Sequence, residues 1–276
     1  MTLAPIASAE EIEVLIRAKY PLIYVVSPEE LRVEHALKDV GLRRGRKFVT
    51  WSITEGFKSS GGENFTDSKD PLRALEEILK FEGKALFVLR DFHPFLKDPT
   101  IVRRLRDLGR ELKFKKHGGK HVLLLSPILK VPTEIEKEMA IIDFDLPGRE
   151  EIDLCVRSLI KSLPQDRATL VRENPAFGER VVEAALGLTL EEAENTFSKS
   201  IIRTGDFDLD TILSEKKSII RKSGILDYFQ SQEEFADVGG LDTLKSWLTK
   251  RQNAFSSEAR KFGLPLPKGI LLIGVP

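Results

Sequence analysis

The sequence predicts an α/β chain: a mostly parallel sheet with helices on both faces, then an all-helical segment, then the opening of a third pattern. Three observations predict it. Through the first half, short apolar runs rich in β-branched residues alternate with stretches whose apolar residues recur at helical spacing. That alternation stops after Leu146-Pro147, and helical spacing continues to about Ser223 with no convincing strand. A new, glycine-punctuated pattern starts at Phe235. At roughly 150 residues per domain, the 276 residues allow about two compact units.

Each element has its own reason. Ile6 to Lys19 reads as an amphipathic helix with Ser8 as N-cap and Ile12, Leu15 and Ile16 inward. Leu22-Ile-Tyr-Val-Val26, bounded by Pro21 and Pro28, suits a buried parallel strand. Pro28 to Val40 follows as a helix whose inner face is Leu31, Ala36, Leu37 and Val40. Lys47 to Ile53 is the second strand, and Gly56 to Asp70, containing Ser59-Ser-Gly-Gly62, reads as a flexible loop. Asp70 caps a helix from Pro71 to Phe81, with Leu72, Leu75, Ile78 and Leu79 at helical spacing. Ala85 to Leu89 is a third buried strand, ending at Arg90-Asp91. Thr100 to Lys113 is a basic helix with Ile101, Leu105, Leu108 and Leu112 inward; Lys120 to Ser126 and Ala140 to Phe144 are the last strands. Further helices are expected over Arg149–Leu163, Ala176–Leu186, Leu190–Ile202 and Leu209–Arg221, and Thr189 with Glu192 fits a capping box. The expected division is an α/β part at 1–147, a helical part at 148–223, a linker at 224–234 and a third segment at 235–276.

Composition narrows the function classes. Hydrophobic residues at 41% and charged residues at 31% supply real cores and exclude a disordered chain. Lys+Arg 43 against Asp+Glu 43 leaves only local patches for polyanions or membrane surfaces. The single Cys155 excludes an intramolecular disulfide, the four His show no zinc-ligand spacing, and both point to a reducing compartment. Glu10, Glu11 and Glu13 interrupt any export signal, and no apolar run reaches the ~20 residues needed to span a bilayer. These features predict a soluble, internal protein. The chain stops inside an apolar, strand-like run, Lys268-Gly-Ile-Leu-Leu-Ile-Gly-Val-Pro276, and so reads as part of a longer protein.

The third segment carries the most specific signal. Phe235-Ala-Asp-Val-Gly-Gly-Leu-Asp242, an amphipathic helix from Thr243, and Phe262-Gly-Leu-Pro-Leu-Pro-Lys-Gly-Ile-Leu-Leu-Ile-Gly-Val-Pro276 together resemble the entry into an AAA+ ATPase domain. In that family the strand leads into Gly-x-Gly-Lys-Ser/Thr, whose backbone N–H groups, Lys and hydroxyl hold the phosphates and Mg²⁺ of ATP. The resemblance assigns Asp237, Val238, Gly239, Gly274, Val275 and Pro276 to the edge of such a nucleotide site, Val238 and Gly239 against the adenine. The rest of the phosphate loop is absent, and no metal-binding residue is assigned.

The first 223 residues are similar to the same family's layout, a P-loop-NTPase-like α/β subdomain followed by a helical lid. Leu22–Val26 takes the place of the strand before the phosphate loop, Asp91 that of a metal-binding acid, and Ser126 that of a polar sensor. Asp143-Phe-Asp-Leu-Pro-Gly-Arg149 resembles the exit into the lid, and Leu188-Thr-Leu-Glu-Glu-Ala193 a lid helix start. After Val26, however, the chain reads Ser27-Pro-Glu-Glu-Leu-Arg32, without glycine or lysine. Pro28 removes a donor, Glu29 and Glu30 put negative charge where phosphate would sit, and Phe92 follows Asp91 where the family has a catalytic Glu. The implied module is a degenerate AAA+ fold without catalytic residues. Arg90-Asp-Phe-His-Pro-Phe-Leu96, Asp98 to Leu108 and Ser126 to Lys137 are similar to a divergent AAA family of cyanobacterial and algal-plastid reading frames. That likeness implies cytoplasm or chloroplast stroma, ATP and Mg²⁺ use by the intact protein, a protein partner and a homo-oligomer.

Three function classes follow. The first is part of an ATPase that remodels or regulates a partner, this chain being inactive as an ATPase. The second is an interaction module independent of nucleotide. The third is nucleic-acid binding through Arg103, Arg104, Arg106, Arg110, Lys113, Lys115, Lys116 and Lys120, with Arg43, Arg44, Arg46 and Lys47 elsewhere. His93 beside Asp91 reads as structural, Cys155 as core, and Trp51 and Trp247 as packing residues.

Overall fold

A computed structural model describes residues 6–59, 65, 69–114, 119–164, 166–222, 239–252, 254, 259 and 262–264. The chain divides into two compact units, Met1–Ile219 and Ile220–Pro276.

The first unit is built on a six-stranded sheet: β1 (Leu22–Val26), β2 (Lys47–Ser52), β3 (Gly56–Ser59), β4 (Ala85–Arg90), β5 (Lys120–Ser126) and β6 (Ala140–Asp143). The order is β3-β2-β4-β5-β1-β6, all neighbours parallel except the β2–β3 hairpin. Gly56–Ser59, expected as loop, is thus an edge strand, with Trp51 opposite Phe57.

Because side chains alternate along a strand, the central strands feed two cores. On one face Tyr24, Trp51, Phe87 and Leu124 pack under α3 (Pro71–Lys80) and α4 (Pro99–Glu111). On the other, Ile23, Val25, Val88 and Leu123 pack under α1 (Ala7–Arg17) and α2 (Glu30–Arg43). Burial on both sides is why these strands read as continuous apolar runs. Helix α4 approaches β1 closely: a Cβ on Gly109 would lie 2.9 Å from Leu22 Cδ1.

Local chemistry sets the helix ends. Asp70 accepts the Arg73 N–H at 2.8 Å, with Pro71 at the first helical position. Asp98 does the same for Thr100, so α4 starts at Pro99. Two expectations need correction. Ser8 is not the N-cap of α1; Ile6 holds that position, and the buried Ser8 hydroxyl donates to Asp145 at 2.5 Å and accepts its N–H at 2.9 Å. Leu31 is not on the inner face of α2, being 71% exposed, whereas Val33, Leu37 and Val40 are fully buried.

Helices α5 (Arg149–Ser162), α6 (Thr169–Glu173), α7 (Pro175–Ala185), α8 (Leu190–Thr204) and α9 (Leu209–Lys222) follow the sheet. The five-residue α6 has no counterpart in the sequence reading. Ile152, Val181, Phe197, Phe207 and Ile212 form their core, with the two phenyl rings edge to face at 5.5 Å. The capping box of α8 is present: Thr189 Oγ1 accepts the Glu192 N–H at 3.2 Å, and the Glu192 carboxylate accepts the Thr189 N–H at 2.9 Å. Thr189→Ala is expected to lower stability by about 1 kcal/mol, measured by urea unfolding.

In the second unit α10 (Asp242–Gln252) carries Trp247, which is 42% exposed under the Arg251 guanidinium rather than packed in a core. Gly239 is exposed just ahead of this helix. Asp237, Val238, Gly274, Val275 and Pro276 lie outside the described residues, as do the expected linker and the strand before Gly274.

Candidate functional site

In open α/β sheets a ligand site lies beyond the carboxyl ends of the strands, where neighbouring connections leave on opposite faces. Here that place is the end of β1. Its exit runs through α2 on one face, while the β5–β6 connection packs Ile135 and Met139 on the other.

Ser27 shapes the turn. Its N–H donates to the Ser126 carbonyl at 2.9 Å, and its hydroxyl accepts the Glu29 N–H at 3.1 Å. Pro28 has no N–H to offer, and no side chain caps the first turn of α2. The two glutamates then part company. Glu29 turns inward, its side chain 6% exposed, whereas Glu30 is 38% exposed.

The inward side is an ion cluster centred on Arg32, whose side chain is 7% exposed. Its Nε and Nη2 donate to the two Glu151 oxygens, both at 2.8 Å. Its Nη1 donates to Glu29 at 2.8 Å and to the Asp145 carbonyl at 2.6 Å. Burial alone would lower the Arg32 pKa, but Glu151 and Glu29 outweigh it, and the guanidinium is held above its ordinary value. Each carboxylate also reaches a helix start: Glu29 accepts the Leu190 N–H of α8 at 2.6 Å, and Glu151 the Gly148 N–H before α5 at 3.1 Å.

Glu29 and Arg32 also border a cleft of about 710 Å³, lined further by Glu30, Leu190, Glu191 and Glu194. Burial and the charge of Asp91 push the Glu30 carboxyl above the usual carboxylate range. Arg90, at the end of β4, does not face this cleft as a free cation. It is bidentate to Glu34 at 2.5 and 2.7 Å, with Glu30 at 3.9 Å and Glu55 at 3.8 Å.

At this turn the described groups that could hold a triphosphate are already engaged. The cation at the turn is committed to two internal carboxylates, an N-terminal amide of α8 is already bonded, and the open wall is acidic. Phe92, where the family has a catalytic Glu, is fully buried with its ring 5.3 Å from that of Trp51. Asp91 is exposed in a left-handed turn (φ 46°), its N–H bonded to the Leu125 carbonyl. His93 Nδ1 lies 3.1 Å from Ser126 Oγ and 3.8 Å from Asp91 Oδ1. One ring nitrogen serves both groups, whereas a proton relay needs two.

Other sequence candidates resolve as follows. Cys155 is half-buried against the helical core, and burial, aided by Glu194, pushes its thiol pKa up to about 11, far from a thiolate nucleophile. On the basic helix Arg103 pairs with Asp107, Arg104 with Glu111, and Arg106 and Arg110 with Glu138. Lys120 is buried and donates to the Ile78 and Leu79 carbonyls at the end of α3. Arg43 and Arg44 share Glu13, and Arg46 bonds the Gly119 carbonyl. The stripe is mostly paired charge; Lys115 and Lys116 lie outside the described residues. The sequence reading did not find Arg32 and Glu151 as a pair.

A mostly parallel sheet with helices on both faces, its β1 exit meeting a following helical segment, has the layout of an AAA-type P-loop ATPase module. The comparisons with known proteins are specific. The family model for the N-terminal domain of SpoVK-like AAA ATPases matches residues 8–144, and that for their second domain matches residues 150–223. The chain belongs to this AAA ATPase family. It is 35% identical over 272 residues to the uncharacterized AAA domain-containing protein ycf46 of Trieres chinensis, covering 96% of this chain and 53% of that protein. The ycf46 protein of Guillardia theta is 33% identical over 273 residues, covering 96% and 52%. The chain thus spans about half the length of the curated relatives it matches. Among solved structures, a chain of the E. coli MS115-1 HORMA:CdnC:Trip13 complex aligns over 75% of this chain and 76% of its own, with 13% identity and a TM-score of 0.46. No helix among the described residues is long and apolar enough to cross a membrane.

Proposed function

We propose that residues 1–223 act as a nucleotide-free docking module of an AAA ATPase, and that the intact protein couples ATP binding and hydrolysis to remodelling or regulating a protein partner. In this reading 1–147 is the α/β part, 148–223 the helical part and 224–234 the linker. The segment 235–276 then opens the nucleotide-using domain, with Asp237, Val238, Gly239, Gly274, Val275 and Pro276 at its edge. ATP and Mg²⁺ are assigned to the intact protein, which acts in cytoplasm or chloroplast stroma as a homo-oligomer. The observation that carries the reading is the turn after β1: Glu29 occupies the Leu190 amide and the Arg32 guanidinium, two groups through which an anion could be held there.

Calorimetry with Mg·ATP on the 276-residue chain tests it. The expected result is no binding up to about 1 mM, a limit of roughly 4 kcal/mol of affinity. Stoichiometric micromolar binding lost on substituting Ser27–Arg32 would refute the reading. A second reading, an interaction module independent of nucleotide throughout, is favoured by the same turn. It separates from the first if the intact protein binds its partner equally with and without Mg·ATP.

A further inference from the structure

We infer that Glu29 is an internal ligand, a carboxylate built into the chain that fills an anion position between Arg32 and the start of α8 and so fixes the helical segment against the sheet. The inference goes beyond the proposed function and holds whether or not another part of the protein uses ATP.

Two independent features make the position an anion seat. Helix α8 has fifteen residues, and its first amides concentrate positive potential at Leu190. Arg32 brings a full positive charge from α2, held in place from behind by the bidentate Glu151. Glu29 bonds both at once, 2.6 Å to the amide and 2.8 Å to the guanidinium, with its side chain almost wholly buried. Through one carboxylate the β1–α2 turn is therefore joined to α8, Glu29 and Leu190 being 161 positions apart in sequence.

A surface ion pair would contribute little to such a join, because water screens it and long side chains lose entropy in forming it. A buried carboxylate differs. If the helical segment moved away, the bonds of Glu29 to both the guanidinium and the amide would break together. The cleft that Glu29 and Arg32 border is acidic: Glu30, Glu191 and Glu194 line it too and repel an anion arriving from solvent. A free phosphate or carboxylate has to displace Glu29 against that field. In this geometry the chain's own carboxylate holds the turn against α8, and no bound molecule is needed to do so.

The test is amide hydrogen exchange on the full 276-residue chain, with sodium acetate as the probe and sodium chloride at equal ionic strength as control. Glu29→Ala is expected to speed exchange in the first turn of α8 by about tenfold or more, the loss of a charge-assisted bond. The first turn of α7, capped by Asn174, stays unchanged. Acetate at about 50 mM restores protection in Glu29→Ala and changes nothing in the wild type. Loss of protection that acetate does not restore would mean that Glu29 is a structural bond and not a seated anion, and would overturn the inference. So would unchanged exchange in the variant, or acetate-dependent protection in the wild type. If Glu29→Ala does not fold, Glu29→Gln keeps the shape and removes the charge. It should give a smaller loss, largest in the same turn, and unchanged exchange there would count against the seat. Nucleotide binding at the turn would refute the proposed function by calorimetry while leaving these exchange results separately readable.

Discussion

Arg32→Ala should lower the stability of the chain by about 4 kcal/mol, the largest loss expected from any single charged residue here. The cause is the charge left behind more than the bonds removed. Glu29, buried, and the half-buried Glu151 would face each other with no cation between them. Removing one partner of a buried ion cluster costs roughly 3–5 kcal/mol for that reason. For a unit of this size the loss corresponds to a fall in melting temperature of about 10 °C. Scanning calorimetry on wild type and variant checks it. A companion variant separates the two sources of the loss. Arg32→Met combined with Glu29→Gln and Glu151→Gln removes the stranded charges and should recover more than half of the stability, since neutral groups of similar volume often replace a buried ion cluster at little cost. If Arg32→Ala melts within about 2 °C of wild type, the cluster is solvated and the description of a buried hub is wrong.

Such a result would bear on how much of the site the amino-acid order reveals. Glu29 and Arg32 are three residues apart, a spacing that pairs side chains on one helix, and that much is legible. Glu151 and Leu190 are 119 and 161 residues away from their partners, and nothing periodic marks them. Glu151 reads on its own as a first-turn acid of α5, which it also is. The two adjacent glutamates both read as obstacles to phosphate, yet Glu29 is buried against Arg32 and the Leu190 amide while Glu30 is exposed. That division depends on the backbone direction of a turn set by Ser27 and Pro28, not on residue type.

The fold was legible where the physics is local. Continuous β-branched runs buried on two faces gave the parallel strands, and the side chains of Asp70 and Thr189 gave helix starts. It was not legible where an element is short or where a phase shift matters. The β3 strand has four residues, one a glycine and one an exposed lysine, so neither alternation nor propensity announces it. Leu31 sits two residues before Val33, about 200° around the helix from the buried face. Starting α2 at Glu30 instead of Pro28 leaves that leucine in the first turn, beside the cleft. The basic helix shows the same limit. Its arginines are obvious in sequence, while the acids that pair them, Glu138 above all, come from a different segment.

A second large effect is expected from pH. His121 lies near the amino end of the central strand β5, 3% exposed, with Nδ1 at 2.6 Å from the Tyr20 carbonyl. Burial pushes its pKa down to about 4, and the nearby positive charge of Arg46 acts in the same direction, although the Tyr20 carbonyl favours the charged form. In the unfolded chain the imidazole returns to about 6.5. Between these values the unfolded state holds the proton and the folded state does not, so acid favours unfolding. The stability is fully present above about pH 6.5, falls as pH drops, and is lost below the folded value. One site gives a slope of about 1.4 kcal/mol per pH unit, and about 3 kcal/mol across the window. Carboxylates titrate in the lower part of that range as well, so the wild-type curve alone does not isolate the histidine. His121→Leu does. It removes the titrating ring, lowers stability at pH 7 by unpairing the Tyr20 carbonyl, and leaves every carboxylate in place. Urea unfolding of both proteins at intervals from pH 7 to 4.5 should show the variant losing stability more slowly, by about 1.4 kcal/mol per unit below pH 6.5. Parallel curves would mean that the ring is protonated in the folded protein and that the buried cation is accommodated by groups around it.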